Sequence, residues 1–323
     1  MKAQYIACTC AAALCGVALA DEKAAAPAEE PAAEETSGWA YNPGEGVSFN
    51  EHPIVSAEFS LAWDSKYLTY GLIDNPDPIL TPAASITLLD WVTVGVSAIF
   101  DTTKYGKGAG YYNRAWDWTE VDPEIGIGHS FSPDDFEWLP TTVDLSVTYM
   151  YEYHTWSSTG PDAECVDEND PSTQFITVEA GLPDLWFEPV FQYERDLFRD
   201  EGSYLNLEIG HTFPIIEGES EEDDPILTLK PSIAQGWGDW RRVAGYLSHR
   251  NGEPLERAGL MDSWLKLTAD WKICDLLSLS GYVAYSDYIF DRHMREAARR
   301  YEATGKYDDS FNFTCGLALT ATF

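Results

Sequence analysis

From Phe311 to Phe323 the chain reads FNFTCGLALTATF, with Phe311, Phe313, Cys315, Leu317, Leu319, Ala321 and Phe323 at every second position. Asn312, Thr314, Gly316, Ala318, Thr320 and Thr322 lie between them. Successive side chains of a β-strand leave on opposite faces, so this run has one apolar face and one small, mostly polar face. It is longer than the usual strand of about five or six residues, and about 9–11 tilted residues cross a bilayer. One such strand is also what an ordinary C-terminal edge strand shows; repetition of the pattern along the chain is what restricts the fold.

The pattern repeats about twelve times, an even count as bacterial membrane barrels require. The runs are Val55–Tyr70, Ile79–Leu89, Val92–Asp101, Glu124–Phe131, Val143–His154, Phe175–Leu182, Phe187–Glu194, Tyr204–Phe213, Ile226–Gln235, Trp264–Ile273, Leu277–Ser286 and the tail. In the fifth, Val143, Leu145, Val147, Tyr149, Tyr151 and Tyr153 oppose Asp144, Ser146, Thr148, Met150, Glu152 and His154. An aliphatic half followed by tyrosines suits a strand that passes from hydrocarbon into an interfacial aromatic girdle.

The links sort by parity. Residues 102–123, 155–174, 236–263 and 287–310 are long, while Asp90-Trp91, 183–186 and 274–276 are short. Short periplasmic turns and long extracellular loops produce that alternation; a soluble β-sandwich or lectin-like fold has no reason to. The expected fold is therefore all-β: an antiparallel transmembrane β-barrel of about twelve strands over residues 54–323. A soluble secreted β-rich ligand-binding protein is the alternative. In the last long link, Phe290–Thr304 places Met294, Ala298 and Tyr301 at helical spacing and predicts a short helix on or in the mouth.

Met1-Lys2, the apolar run Ile6–Leu19 and Ala18-Leu19-Ala20 read as a secretory signal over residues 1–20. Residues 21–53 begin with an Ala/Glu/Pro-rich stretch and read as a disordered periplasmic linker. With Cys8, Cys10 and Cys15 in the signal, Cys165, Cys274 and Cys315 remain, an odd number that makes no disulfide framework. After residue 20 no run of eighteen apolar residues occurs, which excludes a transmembrane helix but not a barrel. A net charge of -34 argues against nucleic acid as a partner.

The alternation together with the terminal Phe323 resembles bacterial outer-membrane β-barrel proteins, whose last strand commonly closes on Phe. That resemblance implies outer-membrane localisation, lipid as a partner, and Phe323 as a signal to the barrel-assembly machinery. Asp64-Ser65-Lys66-Tyr67-Leu68-Thr69-Tyr70-Gly71 further resembles the opening strand of TorF-type putative porins, with Tyr70 where that family carries Arg. The resemblance implies a porin-like role and no catalytic residue.

Read strand by strand, the inward face gives pore-lining candidates Glu58, Asp64, Lys66, Asp144, Glu152, Glu179, Glu208, Lys230, Lys266 and Asp270, with Glu124, Glu194 and Lys272 beside them. Acids exceed bases there, which favours cations in a watery bore. The expected function is passive diffusion of small hydrophilic solutes, possible as an oligomer; a closed structural or adhesive barrel without conductance stays open beside it. Arg241, Arg242, Arg292, Arg295, Arg299 and Arg300 crowd the last two outer loops as candidates for contact with anions or lipid phosphate. Asp162–Asp170 is acidic but lacks the spacing of a calcium loop. No metal site and no cofactor is expected, nor catalysis: His129 and Ser130 are neighbours on opposite faces, which blocks a proton relay.

Overall fold

The computed structural model describes residues 39–42, 46–49, 52–103, 117–154, 172–218, 224–249, 252–300, 307 and 312–323. The signal segment, most of the linker, the acidic loop Asp162–Asp170 and Tyr301 lie outside the described residues.

Twelve strands close into one antiparallel barrel. They are β3 (His52–Asp64), β6 (Ile79–Leu88), β7 (Val92–Asp101), β8 (Asp117–Phe131), β9 (Val143–His154) and β10 (Thr173–Gly181). Then come β11 (Val190–Asp196), β12 (Ser203–Gly210), β14 (Leu227–Gly238), β15 (Gly259–Cys274), β16 (Leu277–Asp287) and β17 (Phe313–Thr322). Each pairs with its neighbour in sequence, and β3 pairs both with β6 and with β17, so no edge is left open. The seam continues past the strand end, where Phe323 N donates to Ala57 O at 2.8 Å and Ala57 N to Phe323 O at 2.9 Å. A short β13 (Phe213–Ile216) prolongs the line of β12 against β14.

Why this sequence makes a barrel is visible in which side chains stay exposed. Phe59, Leu61 and Trp63 on β3, Ile125 and Ile127 on β8, Leu145 and Val147 on β9, and Leu317 and Leu319 on β17 all face outward and remain exposed. Such a continuous apolar skin is untenable in water and natural in lipid. Trp91, Phe131, Trp186, Phe213 and Trp271 ring one rim, and Phe100, Trp118, Tyr153 and Phe313 lie toward the other, as interfacial girdles do. Leu317 lies midway along its strand and is 54% exposed. Leu317→Arg should therefore cost about 2–4 kcal/mol, read from denaturant-induced unfolding in lipid vesicles, and Thr320→Lys on the opposite face far less.

The start of β3, Phe323 and the turn after β6 share one rim, termed the inner one: Leu89 N bonds Ile54 O at 2.9 Å and Phe323 N bonds Ala57 O. Between β6 and β7, Leu89 and Asp90 have φ of 54° and 60°, and Trp91 N bonds Leu88 O at 3.1 Å. The link is the three residues Leu89–Trp91, since Leu88 and Val92 are cross-strand partners.

Two expectations are corrected. Within residues 21–53, expected to be a disordered linker, β1 (Trp39–Asn42) and β2 (Gly46–Phe49) form a hairpin that joins β3 through Val47↔Val55. Bulky residues at alternate positions (Trp39 and Tyr41, Val47 and Phe49) provide the strand pattern. The first barrel strand does not run to Tyr70 either. It ends at Asp64, and after a bend at Ser65-Lys66 the chain forms a separate hairpin, β4 (Tyr67–Thr69) and β5 (Leu72–Asn75). Among the described residues two helices lie on the outer side, α1 (Trp240–Tyr246) and α2 (Arg292–Ala298), each started by an Asp side chain (Asp239, Asp291) accepting from backbone N–H groups of its first turn. The second is the helix expected within Phe290–Thr304, with Met294 and Ala298 buried.

Candidate functional site

The lumen face differs between its two halves. Toward the inner rim, Asp144 on β9 aligns across the sheet with Gly181, Val190 and Glu208, and Glu179 lies two positions along β10. This places three carboxylates within four successive strands, all partly exposed. Ser130 donates to Asp144 at 2.6 Å and Ser280 to Asp270 at 2.5 Å. Lys230 pairs with Glu188 at 2.8 Å, and Lys266 lies over the Tyr282 ring at 5.8 Å. Acidic side chains outnumber Lys230 and Lys266 in this partly exposed half.

Toward the outer rim the bore is filled. Tyr67, Leu68 and Ile73 of the β4–β5 hairpin pack on Ile79, Ile99, Trp264 and Ala284 from the barrel wall. Above them Tyr70 and Leu72 join Tyr204, Val243, Leu247, Leu255, Met261, Tyr288 and Met294 in a second apolar cluster. Alternation within the hairpin has turned from a lipid-facing pattern into one that is buried on both sides.

Tyr70 is the tip of this insert. Its φ of 47° is left-handed, followed by Gly71 at 81°, which gives the paired positive angles of a tight turn. A bulky residue in that region is uncommon and persists where its surroundings over-determine it. Here the Tyr70 hydroxyl donates to Glu194 and accepts from Arg242 Nη1 at 2.9 Å. Tyr204 and Tyr246 contact its ring at centroid distances of 4.7 and 4.8 Å. Its carbonyl accepts from Tyr288 Oη at 2.5 Å, and Gly71 O accepts from Asn312 at 3.2 Å. At the base of the hairpin Asn75 donates to Asp101.

Arg242 holds this arrangement together. Its side chain is fully buried, 3.2 Å from Glu194 and 3.4 Å from Asp200, with its guanidinium 4.8 Å from the Tyr70 ring centre. The expectation that Arg242 contacts lipid or anions outside is therefore wrong: burial beside two carboxylates makes it an internal counter-charge. The remaining arginines form no single patch. Arg241 pairs with Glu201, Arg292 with Glu296 at 2.8 Å, Arg295 with Asp287 at 2.6 Å, and Arg300 donates to Ser248. Arg299 caps α2 through its backbone.

Glu58, Asp64 and Glu152 face inward as the strand pattern indicates, yet all three are buried, so in this conformation they line no aqueous path. Asp64 accepts from Tyr282 at 2.5 Å beside Gly316, where a Cβ would strike both side chains. Lys66 lies in the bend that leaves β3. His129 stacks on Trp91 at 4.1 Å on the lipid face while Ser130 points into the bore, so the two are separated by the sheet.

A closed antiparallel sheet with an apolar exterior and a polar interior is a transmembrane β-barrel. No protein-family model matches the chain, and no curated protein matches it. Among solved structures it is similar to an outer-membrane channel from Pseudomonas putida F1, with TM-score 0.47 and 11% identity over 84% of this chain and 96% of that one. It is also similar to Salmonella typhi OmpF in a complex with daunomycin (TM-score 0.36, 9% identity, 88% and 100% of the two chains). Acinetobacter baumannii OccAB3 gives TM-score 0.34 and 10% identity over 86% and 66%. These likenesses assign no activity to this chain.

Proposed function

We propose that the protein is an outer-membrane porin-like channel for small hydrophilic solutes, non-enzymatic and cation-preferring, and closed at its outer half by the β4–β5 hairpin in the conformation seen. The observation that carries this reading is the division of the bore: a partly exposed, acid-rich inner half, and an outer half filled by one inserted loop with its covering helices. The hairpin that fills the outer half is inserted between the paired strands β3 and β6 and packs on side chains of the barrel wall. Lumen carboxylates raise the local cation concentration and so set selectivity.

Single-channel recording of the purified, refolded protein in a planar bilayer tests the reading. Small or infrequent conductance steps with a cation-selective reversal potential are expected. Glu179→Gln with Glu208→Gln should lower the cation-to-anion permeability ratio by about twofold or more. Unchanged reversal potentials in that double variant would remove these residues from the conduction path, and no current under any voltage or pH would leave a closed structural barrel.

A further inference from the structure

One cluster on the lumen wall has the composition of a metal site. Glu120 on β8 is the cross-strand partner of His154 on β9, and Glu152 lies two residues before His154, so strand geometry turns all three inward. His154 Nε2 is 2.7 Å from Glu152 Oε1, and Nδ1 is 3.6 Å from Glu120 Oε2. One donor atom from each residue lies within 4.8 Å of the others. The side chains are 9%, 3% and 3% exposed for His154, Glu152 and Glu120.

We propose that Glu120, Glu152 and His154 bind a borderline divalent transition cation, of which Zn²⁺ is the working example. Imidazole nitrogen with two carboxylate oxygens is a ligand set that zinc accepts at about 2.0–2.2 Å. Magnesium and calcium prefer oxygen alone, so the imidazole discriminates against them.

Isothermal titration of tag-free, detergent-solubilised full-length protein with Zn²⁺, after treatment with chelator, tests the proposal. One Zn²⁺ per chain is expected, undiminished by millimolar Mg²⁺. His154→Ala should weaken binding at least tenfold, and so should Glu120→Gln, which leaves the His154–Glu152 hydrogen bond in place. Slower migration of unboiled than of boiled protein, or the reverse, verifies that each variant has folded. Absence of stoichiometric binding would overturn the site, as would wild-type affinity in Glu120→Gln, which would assign the metal to other carboxylates. A titration in which Mg²⁺ competes equally would overturn the imidazole's role.

Discussion

Excising Ser65–Pro78 and joining Asp64 to Ile79 through Asn-Gly should turn a nearly closed barrel into a well-conducting one, with single-channel steps several times larger. The excision is geometrically simple because Asp64 and Ile79 are cross-strand partners, so their Cα atoms already stand side by side. A two-residue Asn-Gly link suits that separation, since both positions adopt positive φ in a type I′ turn. The excised stretch removes Tyr67, Leu68, Tyr70, Leu72 and Ile73, the members of both apolar clusters that come from the hairpin. It leaves every barrel ladder intact, and heat-modifiable mobility should persist. Conductance equal to the wild type in a folded sample would mean that the obstruction lies elsewhere.

The barrel was legible in the sequence because lipid outside and water inside impose the same period of two on every strand. Val143–His154 begins and ends where the alternation does. The same rule explains the first error. Tyr67, Leu68, Tyr70 and Leu72 continue a plausible strand pattern, but alternation does not say whether an apolar face meets hydrocarbon or a protein interior. The bend at Ser65-Lys66 carries no strong turn residue to mark the change. Glu120 is hidden in the sequence for a different reason. Alternation is clear only from Glu124, because Trp118–Pro123 mixes polar and apolar residues, and the structure has a register shift at Ile99/Phe100 opposite this stretch.

Arg242 shows where local pattern has no purchase. A pair of arginines in a polar loop reads as solvated, and its burial depends on Tyr70, 172 residues away in the chain, and on Glu194 from another strand. Only the closed topology brings them together. The lumen carboxylates behave alike in sequence and differ in structure: Glu208 is partly exposed and Glu152 is buried because the insert occupies only the outer half.

Arg242→Met should release the hairpin without dismantling the barrel. The substitution keeps much of the side-chain length but leaves Glu194 and Asp200, each 6% exposed at the side chain, without their shared guanidinium. Breaking a buried pair in this way costs about 3–5 kcal/mol, a penalty that falls on docking of the hairpin and α1 because no barrel ladder involves Arg242. Frequent large openings are expected in planar bilayers. Their pH dependence follows from Asp200, whose carboxyl is pushed above its ordinary value by burial and held down by Arg242. Without Arg242 the downward influence of the guanidinium is gone, and docking takes up a proton. Docking is then favoured below the docked-state pKa and lost as pH rises through it, so the variant should be quieter in mild acid and leakier in base. Adding Asp200→Asn and Glu194→Gln to Arg242→Met removes both charges and should restore closure at every pH, because neutral groups of similar shape are tolerated where lone charges are not. A leak that ignores pH, or that survives in the triple variant, would show that Arg242 acts through its packing rather than through its charge.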